Sequence, residues 1–259
     1  MSYEKTVWNK GDVITAEKLN KIESGIENSF TFSDHLKGVI DKSITSVTIP
    51  DGTTKIGNSI FTNCTLLETA TIPSSVTTIE NVAFAGTALK DITIPSSVTT
   101  LGNNTFANCT ALETATIPSS VTTIGDGAFI GCKALKDITI PSSVTTLGGS
   151  MFSGCTALKS AVIQASVTSI GSSMFSGCTG LETVTISSGV TSIGSCGFAG
   201  CTSLNSMYLY SSTPPTVASG ALGGVPETCN IYVPAAAVDT YKAVGSWSAR
   251  AAYIQAMPE

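Results

Sequence analysis

Charge is scarce in this chain. Only 12% of its 259 residues are Asp, Glu, Lys or Arg, against about 25% in ordinary soluble domains. The formal net charge of −5 leaves no basic face, so a nucleic-acid partner is excluded. There is one histidine, His35, beside a loop, where it reads as a solvated side chain. One histidine leaves little for Ser/His or Cys/His machinery. Phosphate-binding glycine loops, a G-x-S-x-G turn and CxxC or Cys/His pairs at metal spacing are all missing. The acidic residues fall on outward positions, not in a desolvated cleft. The chain therefore reads as a non-enzyme with no cofactor and no metal. No apolar run approaches the roughly 20 residues of a membrane span. The first residues, Met1 to Asp12, lack the apolar stretch of a secretory signal, so folding in a cytoplasm is expected.

What the chain has is a repeat. Phe61, Phe84, Phe106, Phe129, Phe152, Phe175 and Phe198 recur every 23 residues, with one step of 22. Ile49, Ile72, Ile94, Ile117, Ile140, Ile163 and Ile186 recur beside them, and Leu209 closes the series. Such a period means a solenoid whose turns bury apolar side chains against their neighbours. The repeat assigns residues 44–210 to the solenoid, 1–30 to an attachment or oligomerisation segment, 31–43 to a linker and N-terminal cap, and 211–259 to a C-terminal cap. It predicts seven to eight turns.

Within a turn, Leu135, Ile138 and Ile140 follow the alternation of a short strand, and Pro141 stops it. Val144 and Leu147 point inward from a second strand, and Gly148 permits a tight bend. Residues 151–155 offer room for about one turn of helix or 3₁₀ structure, with Phe152 and Cys155 inward. The seven phenylalanines are the expected structural spine. Six cysteines (Cys64, Cys109, Cys132, Cys155, Cys178 and Cys201) sit three residues after a repeat phenylalanine, and the 22-residue turn, Phe84 to Leu89, lacks this position. Cysteine in that register reads as a small buried apolar residue kept reduced in a cytosol; disulfide pairing stays as the alternative.

Two outward rows bear on function. Thr48, Thr71, Thr93, Thr116, Thr139, Val162, Thr185 and Tyr208 stack at about 4.8 Å into a ribbon roughly 35 Å long. Beside it, Glu68, Lys90, Glu113, Lys136, Lys159 and Glu182 mostly alternate in sign. Both rows read either as solvated sheet surface, chosen for β-propensity and cross-strand pairing, or as a flat polar face for glycan or protein. The candidate binding residues are Thr71, Thr93, Thr116, Thr139, Thr185 and Tyr208. Ice binding is set aside, because no T-x-T pair per strand is read.

At the ends the pattern changes. Thr15 is a good N-cap, and Leu19, Ile22 and Ile26 form a short apolar seam. A helix this short needs a partner: it covers the first turn, or it drives self-association, a trimer being favoured, or docking. After Tyr210 the register breaks. Residues 235–244 and 247–256 read as two short helices, with Val238, Tyr241, Trp247, Tyr253 and Ile254 packed over the last turn.

Two resemblances follow from these motifs. The turns are similar to those of the BspA-type leucine-rich repeat family, I-x-I-P-x-x-V-x-x-I-G-x-x-A-F-x-x-C-x-x-L, over residues 44–210, and the pattern from Val233 to Ile254 is similar to that family's terminal cap. Departures are local: Thr53 for valine, no cysteine near Thr87, and Gln164 and Ser187 for proline. The resemblance implies a right-handed leucine-rich-repeat β/α solenoid and adhesion or binding at a surface. The segment Trp8-x-x-Gly11-Asp12-Val13-Ile14-Thr15-Ala16-Glu17-Lys18-Leu19-Asn20-x-Ile22-Glu23-x-Gly25-Ile26 resembles the N-terminal segment of tail-fibre, head-fibre and baseplate-type proteins of phages and prophages of Gram-positive bacteria. That implies virion structural proteins as partners, a location on the virion and a host-surface glycan or protein as target. The alternatives are a bacterial cell-surface adhesin and a purely structural spacer.

Overall fold

The computed structural model describes residues 31–32 and 42–258. Leu19, Ile22 and Ile26, and with them the expected N-terminal helix, lie outside the described residues, as does His35. The described chain winds into a parallel β-solenoid of about nine turns. Each repeat supplies two short strands, such as Asp137–Ile140 and Thr146–Leu147. The first kind stacks in register, Ile138 on Ala161, Val184, Met207 and Ile231 inside the solenoid, and Thr139 on Val162, Thr185, Tyr208 and Tyr232 outside. The second kind forms its own parallel column from Thr31–Phe32 through Thr146–Leu147, resuming from Ser169–Ile170 to Thr216–Val217. A residue one turn away is the only neighbour each strand has along the axis, so every inward apolar position must repeat.

The third side of each turn is not helical, contrary to the expectation for residues 151–155. It is a run of turns bracketed by two left-handed residues, Ser150 (φ 52) and Gly154 (φ 75) in this repeat. Those residues open the chain, so the Phe152 N–H does not close an intrahelical bond. It donates to the Met174 carbonyl in the next turn at 2.9 Å. Phe61, Phe106 and Phe175 do the same to Ala83, Ala128 and Gly197 at 2.8 Å. On the strand sides bonds run in both directions: Glu182 N–H reaches back to the Lys159 carbonyl at 2.9 Å, and Ile49 N–H reaches forward to the Thr71 carbonyl at 2.9 Å. Each turn is thus tied to both of its neighbours, and buried backbone groups find partners without helix.

The phenylalanine rings fill the space behind this side. Adjacent rings from Phe61 to Phe198 stack with centroids between 5.0 and 5.8 Å apart and planes within 19° of parallel. All seven are fully buried; each contributes roughly 1.5–3 kcal/mol by that burial. Gly148 serves a different purpose from the one the sequence suggests. Its φ is not among the positive ones, but a Cβ there would run into the backbone nitrogen of Asp126 in the preceding turn. Close approach of two backbones, not a bend, selects glycine. Glu80 stands at the equivalent position and turns its carboxylate outward to Lys55 Nζ at 2.6 Å and Asn58 Nδ2 at 2.8 Å.

The ladder also continues past Tyr210. Thr216–Val217 pairs with Ser192–Ile193, and Asn230–Val233 pairs with Ser206–Leu209, one residue having been inserted. The cap is small. A 3₁₀ turn at Ala235–Ala237 leads into helices Val238–Ala243 and Gly245–Ser248. The second expected helix breaks, and Ile254–Ala256 becomes a final strand on Asn230–Val233. An exposed strand edge favours this pairing over a last helical turn. Tyr241 OH donates to the Ser211 carbonyl at 2.9 Å and Trp247 Nε1 to the Pro215 carbonyl at 2.7 Å. These bonds fasten the Ser211–Pro215 loop beneath the cap.

Candidate binding face

The cysteine column is fully internal, and Cys196, which lies outside its register, is exposed. Cys109, Cys132, Cys155, Cys178 and Cys201 are buried free thiols. Each Sγ–H donates to the carbonyl of the phenylalanine one turn back, at 3.0 to 3.2 Å. Burial pushes the Cys155 and Cys201 thiols up to about 12 and raises Cys109, Cys132 and Cys178 as well. A thiol held neutral and out of solvent is a poor nucleophile or ligand. The short turn keeps this position after all. Thr87 occupies it, its Oγ1 donating to Phe84 O at 2.9 Å, and the missing residue lies between Thr87 and Leu89.

The surface hydroxyls divide into two groups. Just before the second strand of each turn, Thr77, Thr99, Thr122 and Thr191 each donate to the carbonyl of the corresponding residue one turn back, at 3.0 to 3.3 Å, and Thr216 donates to the Thr191 carbonyl at 3.3 Å. Ser97, Ser120 and Ser143 likewise donate to Val76, Val98 and Val121. Those hydroxyls knit the turns together. The other row behaves differently. Thr71, Thr93, Thr116 and Thr139 are exposed and Thr185 and Tyr208 half-exposed, and no hydrogen bond among the described residues engages their hydroxyls.

This row has a second column beside it that the sequence reading missed. Residues two before each row member also face outward, so Thr69 with Thr71, Thr114 with Thr116, and Thr183 with Thr185 are T-x-T pairs. The signal was present in Glu68-Thr69-Ala70-Thr71. Asp91 and Asp137 occupy the column in intervening turns, which breaks the regularity an ice lattice requires. Beyond it the charged row pairs off: Lys90 with Glu68 at 2.9 Å, Lys136 with Glu113 at 2.5 Å and Lys159 with Glu182 at 2.6 Å. Glu68 raises the pKa of Lys90 by hydrogen bond and charge, and Lys136 lowers that of Glu113 in the same way. These exposed pairs add little stability, but they cancel charge along one border of the face.

The other border ends on aromatics. Tyr208 stacks on Tyr232, centroids 4.7 Å apart and planes 14° from parallel. Beyond Tyr232 the column continues to Gln255, whose Nε2 donates to Asn230 Oδ1 at 3.0 Å. Elsewhere, a shallow recess of about 220 Å³ lined by Asn58, Thr78, Glu80, Asn81, Thr100 and Gly102 is closed chemically by the Glu80–Lys55 and Glu80–Asn58 contacts. No helix among the described residues is long and apolar enough to cross a membrane.

A stacked, laddered repeat of this kind defines a leucine-rich-repeat solenoid. The chain belongs to the family described as BspA type Leucine rich repeat region, whose model matches residues 40–159 and 146–236 in six copies. Among solved structures it is similar to a leucine rich cell surface protein from Faecalibacterium prausnitzii A2-165, with 30% identity over 84% of this chain and 64% of that one and a TM-score of 0.47. It is similar to a leucine-rich repeat protein from Eubacterium ventriosum, with 22% identity over 71% of this chain and 84% of that one and a TM-score of 0.47. A T. pallidum leucine rich repeat protein shows 24% identity over 62% of this chain and 65% of that one, with a TM-score of 0.45. The chain spans less than two thirds of the length of the Faecalibacterium prausnitzii protein. No curated protein matches it.

Proposed function

We propose that the protein is a non-enzymatic binding module of the BspA type, displayed at a cell surface, that engages a surface macromolecule through the row Thr71, Thr93, Thr116, Thr139, Thr185 and Tyr208. The observation that carries this reading is the division of the threonines. One row spends its hydroxyls on neighbouring turns, while the other leaves them unsatisfied on a rigid sheet. A pre-ordered face loses little conformational entropy on binding, so modest contacts repeated along it suffice. Family membership and the charge cancellation beside the row support the same reading.

The test is adsorption of the labelled chain to bacterial and host cells, with fractionation of the producing cell. Replacing Thr93, Thr116 and Thr139 together by lysine is expected to abolish adsorption with unchanged thermal unfolding. Full adsorption by the triple variant would reject this face.

A second reading is favoured by residues 8–26: the same module carried on a virion as a fibre or decoration protein, attached through Leu19, Ile22 and Ile26 and assembled as a homo-oligomer, a trimer being favoured. The protein would then be found in purified particles and not in the cell envelope. Deleting residues 1–30 would release it from them and reduce its solution mass to that of a monomer.

A further inference from the structure

The C-terminal half of the face differs in chemistry from the rest. The five strands Ser160–Ile163, Thr183–Ile186, Ser206–Leu209, Asn230–Val233 and Ile254–Ala256 contain no Asp, Glu, Lys or Arg. Their outward positions carry hydroxyls, amides, the Val162 side chain and two aromatic rings. Lys159 and Glu182 at the border neutralise one another.

The shape is a step. Tyr208 and Tyr232 stack from turn to turn, with nearly parallel planes, so their ring faces look along the solenoid axis. One face of Tyr208 is covered by Tyr232. On its other side the column holds Thr185 and then Val162. Both side chains are much shorter than tyrosine, so the outer part of the Tyr208 ring stands above them as a wall over a low floor. Thr185 brings an unengaged hydroxyl to the foot of that wall, and Thr183 and Ser206 stand in the adjoining outward column.

A flat apolar face meeting uncharged donors and acceptors suits a pyranose ring, which has an apolar C–H face and a rim of hydroxyls. An aromatic wall with polar groups at one end favours such an amphipathic partner. Charged ligands find no counter-ion here and would leave their charge uncompensated. We infer that the step formed by Tyr208 over Thr185 and Val162 binds one sugar residue of a neutral polysaccharide, with the chain continuing along the threonine row. This inference rests on the proposed binding face and names its ligand class.

The experiment is native electrophoresis of the full chain in gels polymerised with dextran, yeast mannan or xyloglucan, with hyaluronan as the anionic comparison. At least one neutral polymer is expected to retard the protein, and hyaluronan is not. Tyr208→Ala removes the wall. Thr185→Tyr instead extends the aromatic stack and covers it, leaving Tyr208 in place. Either change is expected to weaken the retardation by roughly tenfold or more. Thermal unfolding of both variants reports whether the fold is kept, and Thr185→Tyr decides the matter if Tyr208→Ala does not fold. No retardation by any neutral polymer, equal retardation by hyaluronan, or retardation unchanged in Thr185→Tyr would each overturn the inference. Cell adsorption that persists in Thr185→Tyr but is lost in the Thr93, Thr116 and Thr139 lysine variant would remove the sugar step while leaving the binding face standing.

Discussion

The Cys132 thiol donates to the carbonyl oxygen of Phe106, one turn back, at 3.1 Å. The same oxygen also accepts the Cys109 N–H of its own turn at 3.2 Å. Phenylalanine and cysteine are therefore one structural unit. The ring fills the core, and its carbonyl is satisfied from two turns at once. A buried carbonyl has two lone pairs to satisfy, and a small side chain with a weak donor in the next turn, Cys132, supplies what the backbone of its own turn does not.

The first consequence concerns the spine. Phe129 lies between Phe106 at 5.3 Å and Phe152 at 5.8 Å and is fully buried. Phe129→Ala is expected to cost about 3–5 kcal/mol, read from urea unfolding. A loss below about 1 kcal/mol would be smaller than any core phenylalanine truncation should give and would reject the spine as the main source of stability.

Thiol accessibility follows from the same column. All eight cysteines are thiols, and Cys196 alone is exposed. A colorimetric thiol reagent should label one cysteine in the folded protein and all eight after denaturation without reductant. Rapid labelling of several thiols in the native state would contradict the burial of the column.

Alkaline pH should weaken the protein. Burial raises the Cys155 thiol from its ordinary 9.0 to about 12 and lifts its neighbours in the same direction. Below pH 9 the thiols are protonated in both folded and unfolded chains, and their contribution is fully present. Between about 9 and 12 the unfolded chain loses protons that the folded chain retains. Stability should then fall by roughly 1.4 kcal/mol per pH unit for each such thiol. Melting temperatures measured from pH 8 to 11 should decline steeply above pH 9, and less steeply in Cys155→Ala. Identical slopes for the two proteins would exclude the thiol as the cause.

Thr87 offers a finer test. Its hydroxyl lies 3.2 Å from Cys109 Sγ, and both groups reach Phe84 O. Thr87→Cys restores the repeat and should change stability little. Thr87→Ala should cost about 0.5–1.5 kcal/mol by removing one buried hydrogen bond, Phe84 O keeping the Cys109 thiol. Equal stability of the two variants would show that the hydroxyl has no part in holding the short turn.

The period in the sequence was enough to establish a solenoid, its inward isoleucines, its phenylalanine column and the register of its thiols. A repeat displays directly which side chains must face their copies, since each turn has only its neighbours to pack against. The sequence also ordered the outward threonines into rows. Their engagement was decided by the tertiary structure, because a hydroxyl is satisfied only if a carbonyl of the adjacent turn points at it. That orientation separates Thr77 and Thr99 from Thr71 and Thr93, although all four are threonines in or beside short strands. Inter-turn bonding likewise replaced the expected helical turn around Phe152, since left-handed residues at its flanks, Ser150 and Gly154, aim backbone groups at the next turn. The pairing of Tyr208 with Tyr232 depended on a ladder that absorbs an inserted residue after Tyr210, and Ile254–Ala256 became a strand because the last edge needed a partner. Those outcomes belong to contacts between turns, where strict repetition has ended and spacing no longer tells which atoms meet.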